Sequence, residues 1–180
     1  MAGGGGELKL AIPAPSLVLL VGPSGAGKST FARRHFRETE VLSSDRMRAL
    51  VADDANDQRA TAAAFELLHT TLALRLAGRR LSVVDATNVE SWAREQLLAI
   101  ARRHRRPAVA IVFALPLETC LERNLARRDR RLPAAAIRRQ YRWLRDSQRA
   151  IPNEGFAGVW VLESAEEVAA ARVEIVPATA

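Results

Sequence analysis

The nine residues Gly22-Pro23-Ser24-Gly25-Ala26-Gly27-Lys28-Ser29-Thr30 restrict this chain more than any other stretch, because they match G-x-x-x-x-G-K-[ST] in its proper setting. Before them, Ser16 to Val21 reads as a continuous apolar run, the pattern of a parallel strand buried on both faces. After them, Ser29 to Phe36 reads as a helix. Gly25 and Gly27 let the backbone curl so that successive N–H groups point inward at a phosphate. The helix starting near Lys28 aims its positive dipole end at the same oxygens. Lys28 is a compact charge able to bridge β- and γ-phosphates, and Ser29 offers a hydroxyl to Mg2+. Gly22, Ser24, Gly25, Ala26, Gly27, Lys28, Ser29 and Thr30 are therefore the expected ATP contacts. A Gly-rich turn without a ligand is the bland alternative.

The rest of the chain alternates short apolar runs with longer helical patterns. Strands are expected at Glu40–Leu42, Leu81–Asp85, Val109–Leu115, Val159–Leu162 and Val173–Val176. Helices are expected at Arg46–Val51, Arg59–Leu76 (closed by Gly78), Val89–Arg103, Pro116 to Arg127, Pro133 to Arg149 and Ala165–Ala171. Strands alternating with helices imply βαβ units, hence an α/β fold with a parallel sheet covered on both faces. A chain of 180 residues is most simply one domain. Its expected bounds are 16–176, after a flexible leader at 1–15 that includes Gly3–Gly6, and before a tail at 177–180. No apolar run approaches the roughly 20 residues that cross a bilayer. The N-terminus has no signal-peptide pattern, and a single cysteine, Cys120, excludes an internal disulfide. A cytoplasmic location is expected.

Two carboxylates carry the chemistry. Asp85 ends the run Leu81-Ser82-Val83-Val84, from which an acid can hold Mg2+ directly or through water. Capping the next helix is its alternative role. Asp45 follows the second strand, and strand C-termini line the ligand crevice of an open α/β sheet. It suits a general base aimed at an incoming hydroxyl, or else a helix cap, a task Ser44 can also perform. Arg48, one turn on, can hold a phosphate of the acceptor or lie on the surface. Arg123, Arg127 and Arg130, at spacings of four and three, share one face of a helix and suit a lid over the transferring phosphoryl group. A solvated basic stripe is the other reading.

Charge adds to this. The net charge is +7, and the segment Arg102 to Arg149 holds 14 Arg against four acids, a local balance of +10 that suits a polyanion. Of the 27 cations only Lys9 and Lys28 are Lys, so position 28 is one where Arg will not serve. His35, His69 and His104 share no metal-ligand spacing. Trp92, Trp143, Trp160 and Tyr141 read as packing, with Tyr141 and Trp143 the two to test for base stacking.

Taken together, Gly22 to Phe31, Val41 to Arg48, Asp53-Asp54 with Asn56-Asp57-Gln58, Val83 to Asn88 and Glu122 to Arg130 resemble the kinase domain of the bacterial polynucleotide kinase–phosphatase–ligase that heals and seals broken RNA. The resemblance runs from about Leu17 to Val168. It implies a P-loop phosphotransferase fold, strand order 2-3-1-4-5, with helices flanking the sheet and an Arg-rich helical lid. It also implies transfer of the ATP γ-phosphate to a 5′-OH RNA or DNA end with Mg2+. Lys28 and Ser29 would contact phosphate and metal, Asp45 would be the base, and Arg48 and Gln58 would contact the acceptor. Arg123, Arg127 and Arg130 would contact the donor. The family continues into phosphatase and ligase domains. Two other readings stand beside this one: a small-molecule P-loop kinase, and a non-catalytic NTP-binding module.

Overall fold

A computed structural model describes residues 8–127 and 131–178. The central sheet is parallel throughout. Its strands are β2 (Leu17–Val21), β3 (Val41–Ser43), β4 (Ser82–Asp85), β5 (Ala108–Phe113) and β6 (Gly158–Leu162), in the order β3-β4-β2-β5-β6. Counted from β2 as its first strand, that order is the expected 2-3-1-4-5. The labels shift by one because a further strand, β1 (Lys9–Ala14), precedes it.

That strand corrects the leader assignment. Residues 9–14 are not a flexible lead-in; they pair in parallel with β7 (Arg172–Pro177) as a separate two-stranded sheet. Leu10 and Ile12, two residues apart, both enter the core. This period-two alternation was the available signal. Pro177, expected in a tail, belongs to β7. Gly3–Gly6 lie outside the described residues.

Among the described residues seven α-helices cover the sheet: α1 (Lys28–His35), α2 (Ser44–Ala52), α3 (Thr61–Ala77), α4 (Ser91–Arg103), α5 (Leu117–Ala126), α6 (Ala134–Ser147) and α7 (Ala165–Ala170). All five residues of β2 are buried, as a central parallel strand requires. Its alternate side chains feed two cores. Leu17, Leu19 and Val21 meet Leu68, Leu72, Leu97 and Leu98 of α3 and α4. Val18 and Leu20 meet Phe31, Phe113 and Cys120 on the other face. Gly78 caps α3 as expected, but with φ −74; the left-handed residue there is Arg79, at φ 56.

Parallel register is what builds the site. Asp85 pairs with Leu20 of β2 on one side and with Ser43 of β3 on the other. The C-terminal ends of three adjacent strands therefore present Gly22, Ser43–Asp45 and Asp85 along a single edge. No helix among the described residues is long and apolar enough to cross a membrane.

Candidate functional site

The loop after β2 is held in a shape that only glycine permits at two places. Gly25 and Gly27 have φ of 85 and 96, in the left-handed region that disfavours a side chain. A Cβ at Gly25 would also meet the carbonyl oxygen of Cys120 on α5. Gly27 is the N-cap of α1, which has no capping side chain and no acid in its first turn. Its leading N–H donors therefore have no side-chain acceptor, and its positive end stays suited to an anion. Lys28 is buried, and its Nζ donates to the carbonyls of Gly22 and Pro23 at 2.8 and 2.9 Å. Burial lowers its pKa, against the opposing attraction of Asp85, Cys120 and Asp45.

Asp85 lies six residues before α4, too early to cap it; the N-cap is Glu90. Its carboxylate accepts a hydrogen bond from Ser29, and burial raises its pKa despite Lys28 nearby. The donor set fits Mg2+. An oxygen pair from a carboxylate and a hydroxyl beside a phosphate cradle is what that ion uses, since it retains several waters and takes few protein ligands. No group of three or more His, Cys, Asp and Glu suited to a metal occurs among the described residues.

Asp45 is not a cap either. Ser43 caps α2, accepting from the Arg46 N–H at 3.4 Å. Asp45 instead pairs with Arg48 one turn on, and Arg48 is no surface residue: it is 4% exposed and its Nε donates to the carbonyl of Ala55 at 2.9 Å. The arginine thus fixes the orientation of the carboxylate.

The lid differs from its expected form. Arg123 lies on α5, but α5 ends at Ala126 and Arg127 is the extended C-cap, φ −69 and ψ 137. The two do not share a helix face, and Arg130 lies outside the described residues. Asn124 of α5 is tied to Leu132: its side chain donates to the carbonyl of Leu132 and accepts from its N–H, both at 2.9 Å. Arg123 reaches the cradle, with Nη1 3.3 Å from where a Cβ on Gly27 would stand.

These parts line one cleft of about 1330 Å³. Ser24, Gly25, Gly27, Lys28, Ser29, Thr30, Asp45, Arg48, Gln58, Asp85, Arg123 and Arg127 all border it. Gly22 and Ala26 do not: Gly22 backs onto Phe113, and the Ala26 methyl is in the core. Two residues were missed from sequence. Gln140 on α6 accepts the Ser24 N–H at 2.9 Å across 116 positions of chain. Trp92, read as packing, is 60% exposed and lines the cleft. Trp143 stacks under Arg139 instead, 5.3 Å from its guanidinium carbon, and neither it nor Tyr141 borders the cleft.

Residues 17–147 match the family model described as an AAA domain. No curated protein matches the chain. Among solved structures, a chain of the Pnkp1/Rnl/Hen1 RNA repair complex is 24% identical with a TM-score of 0.66, over 76% of this chain and 46% of that one. This chain therefore spans less than half of that neighbour. The AvrRxo1-ORF1:-ORF2 complex with ATP is 16% identical with a TM-score of 0.65, over 85% and 55% of the two chains. A gluconokinase from Sinorhizobium meliloti 1021 is 17% identical with a TM-score of 0.53, over 88% and 92%. Likeness at these identities is likeness of fold, and the fold is P-loop kinase-like.

Proposed function

This chain belongs to the AAA domain family, and we propose that it is an ATP-dependent kinase transferring the γ-phosphate to the 5′-hydroxyl end of a polynucleotide, RNA or DNA. The observation that carries the proposal is the Asp45–Arg48 pair bordering the same cleft as the phosphate cradle. A module that only binds nucleotide has no use for an oriented base opposite its cradle.

In this reading the acceptor oxygen forms a bond to the γ-phosphorus as the bond from that phosphorus to the β-phosphate oxygen breaks, and ADP leaves. Asp45 takes the hydroxyl proton, held in line by Arg48. Lys28 leaves the loop carbonyls of Gly22 and Pro23 for the β- and γ-phosphates. Arg123, Arg127 and the expected third arginine, Arg130, neutralise charge spreading over the phosphoryl oxygens. Ser29 and Asp85 would hold Mg2+, which when bound supplies charge neutralisation at the β- and γ-oxygens. Arg48 and Gln58 face the acceptor.

Polynucleotide is favoured over a small alcohol by the likeness to the RNA repair chain and by the arginines that line the cleft, Arg33, Arg34, Arg48, Arg59, Arg123 and Arg127. The gluconokinase likeness, which spans 92% of that protein, keeps a small-molecule acceptor as the second reading.

The experiment compares acceptor kcat/KM with and without a 3′-phosphate on the reacting nucleotide, for wild type and Arg48→Ala. Wild type should strongly prefer the phosphorylated acceptor, and the variant should lose that preference as well as turnover. Oligonucleotide binding should weaken with salt, by about 0.7 in log–log slope per neutralised phosphate. Equal use of both acceptors by wild type gives the substrate to the small-molecule reading.

A further inference from the structure

Beyond Arg48 the cleft continues between α3 and α4, and its lining changes character. Phe65 and His69 lie one turn apart on α3, ring centroids 6.0 Å apart at 65°. Burial lowers the pKa of His69, so its ring is neutral near pH 7. On α4, lining the same cleft, is Trp92, the most exposed of the three tryptophans. Its Nε1 donates to Glu90 at 3.1 Å, which tethers one edge of the indole. Arginines stand near the mouth of this recess, at Arg48 and Arg59, and Arg59 is already paired with Asp57. The lining is thus aromatic around Phe65, His69 and Trp92, with the Glu90 carboxylate on the indole edge and arginines toward the mouth. A cleft of about 1330 Å³ exceeds the roughly 300–1,000 Å³ of a single small-ligand site, leaving room beside a donor.

We infer that this recess is a stacking subsite for the nucleobase of the nucleotide whose 5′-hydroxyl is phosphorylated, with Trp92 as its platform. The inference rests on the polynucleotide reading and adds a specificity-determining residue to it. A flat ring with polar edges matches an aromatic wall, and the sugar-phosphate then passes the arginines at the mouth. Stacking is tolerant of base identity, so the subsite selects for a base rather than for a sequence.

The test uses two 5′-OH oligonucleotides identical except that one lacks its 5′-terminal base. Wild type should show a KM lower by about 5- to 100-fold for the acceptor carrying the base, the range that base–aromatic stacking supports. Trp92→Ala should erase that difference, and Trp92→Phe should retain most of it. Without ATP, adding the oligonucleotide should quench tryptophan fluorescence in wild type and far less in Trp92→Phe. Equal KM values for the two acceptors in wild type, or a difference that survives in Trp92→Ala, would overturn the subsite while leaving phosphorylation of polynucleotide ends intact. A wild type that phosphorylates only small alcohols would overturn the polynucleotide reading, and the subsite with it.

Discussion

The phosphate cradle of the donor half is built from one contiguous loop, whereas the acceptor half is gathered from four separated segments. Gly22 to Thr30 forms the cradle largely with backbone, shaped by the positive φ of Gly25 and Gly27 and by the uncapped start of α1. The acceptor side takes Asp45 and Arg48 from α2, Gln58 from a 3-10 turn, Phe65 from α3 and Trp92 from α4. A site made of backbone imposes residue types at fixed spacing. A site made of side chains leaves the spacing to tertiary packing. The two halves should therefore fail separately, and in different kinetic terms.

The largest expected effect breaks the acceptor half. Asp45→Asn keeps size and removes the proton acceptor, and turnover should fall about 10²- to 10⁴-fold with the ATP KM little changed. Steady-state kinetics in both substrates check this. A matching collapse of ATP binding would move Asp45 to the donor half. Next comes the donor half itself. Lys28→Ala should reduce transfer by at least about 10²- to 10³-fold, the scale for losing one oriented charge at the transition state. The fold should survive, because Lys28 bonds only its own loop carbonyls, Gly22 and Pro23. Thermal melts run beside the assay would expose a structural role instead.

That division also explains how much could be read from the sequence. The cradle and nearly every helix were legible, because apolar periodicity and the phosphate motif are local; the strand order came only from the family resemblance. Asp85 and Asp45 were placed correctly at strand ends, since parallel register aligns those ends whatever lies between. Less local features escaped. Gln140 sits on a helix whose visible signal is basic. Successive helix positions turn by about 100°, so Arg138, Arg142 and Arg145 form a row on the side away from Gln140. Part of the positive charge assigned to substrate thus faces away from the cleft, while a polar residue between arginines touches the cradle. Arg127 escaped for a related reason: spacing of four implies a shared helix face only while the helix lasts, and α5 stops one residue short. Trp92 looked like core because tryptophan usually is, and only the seating of α4 against the cleft decides otherwise.

The smallest effect sharpens the comparison on the donor side, where burial and charge compete. Asp85 is 7% exposed, and desolvation is the leading cause of its raised pKa, ahead of the attraction to Lys28 and the Ser29 hydrogen bond. A carboxyl raised in the fold stabilises the chain fully below its unfolded pKa, and that contribution is lost as pH rises through the folded value. At pH 7 the ionised group therefore costs stability in the absence of a cation. Asp85→Asn resembles the protonated form and should raise the melting temperature at pH 7. Each kcal/mol gained would read as about 2–4 °C for a chain of this size. The gain should shrink as pH falls and the wild-type carboxyl protonates. Added Mg2+ with ATP should reverse the ranking, stabilising wild type more than the variant, because the bound cation converts a costly charge into a ligand. A variant that melts lower than wild type at pH 7 without Mg2+ would mean that Lys28 and Ser29 already compensate the carboxylate. The donor half would then be as dependent on side-chain pairing as the acceptor half.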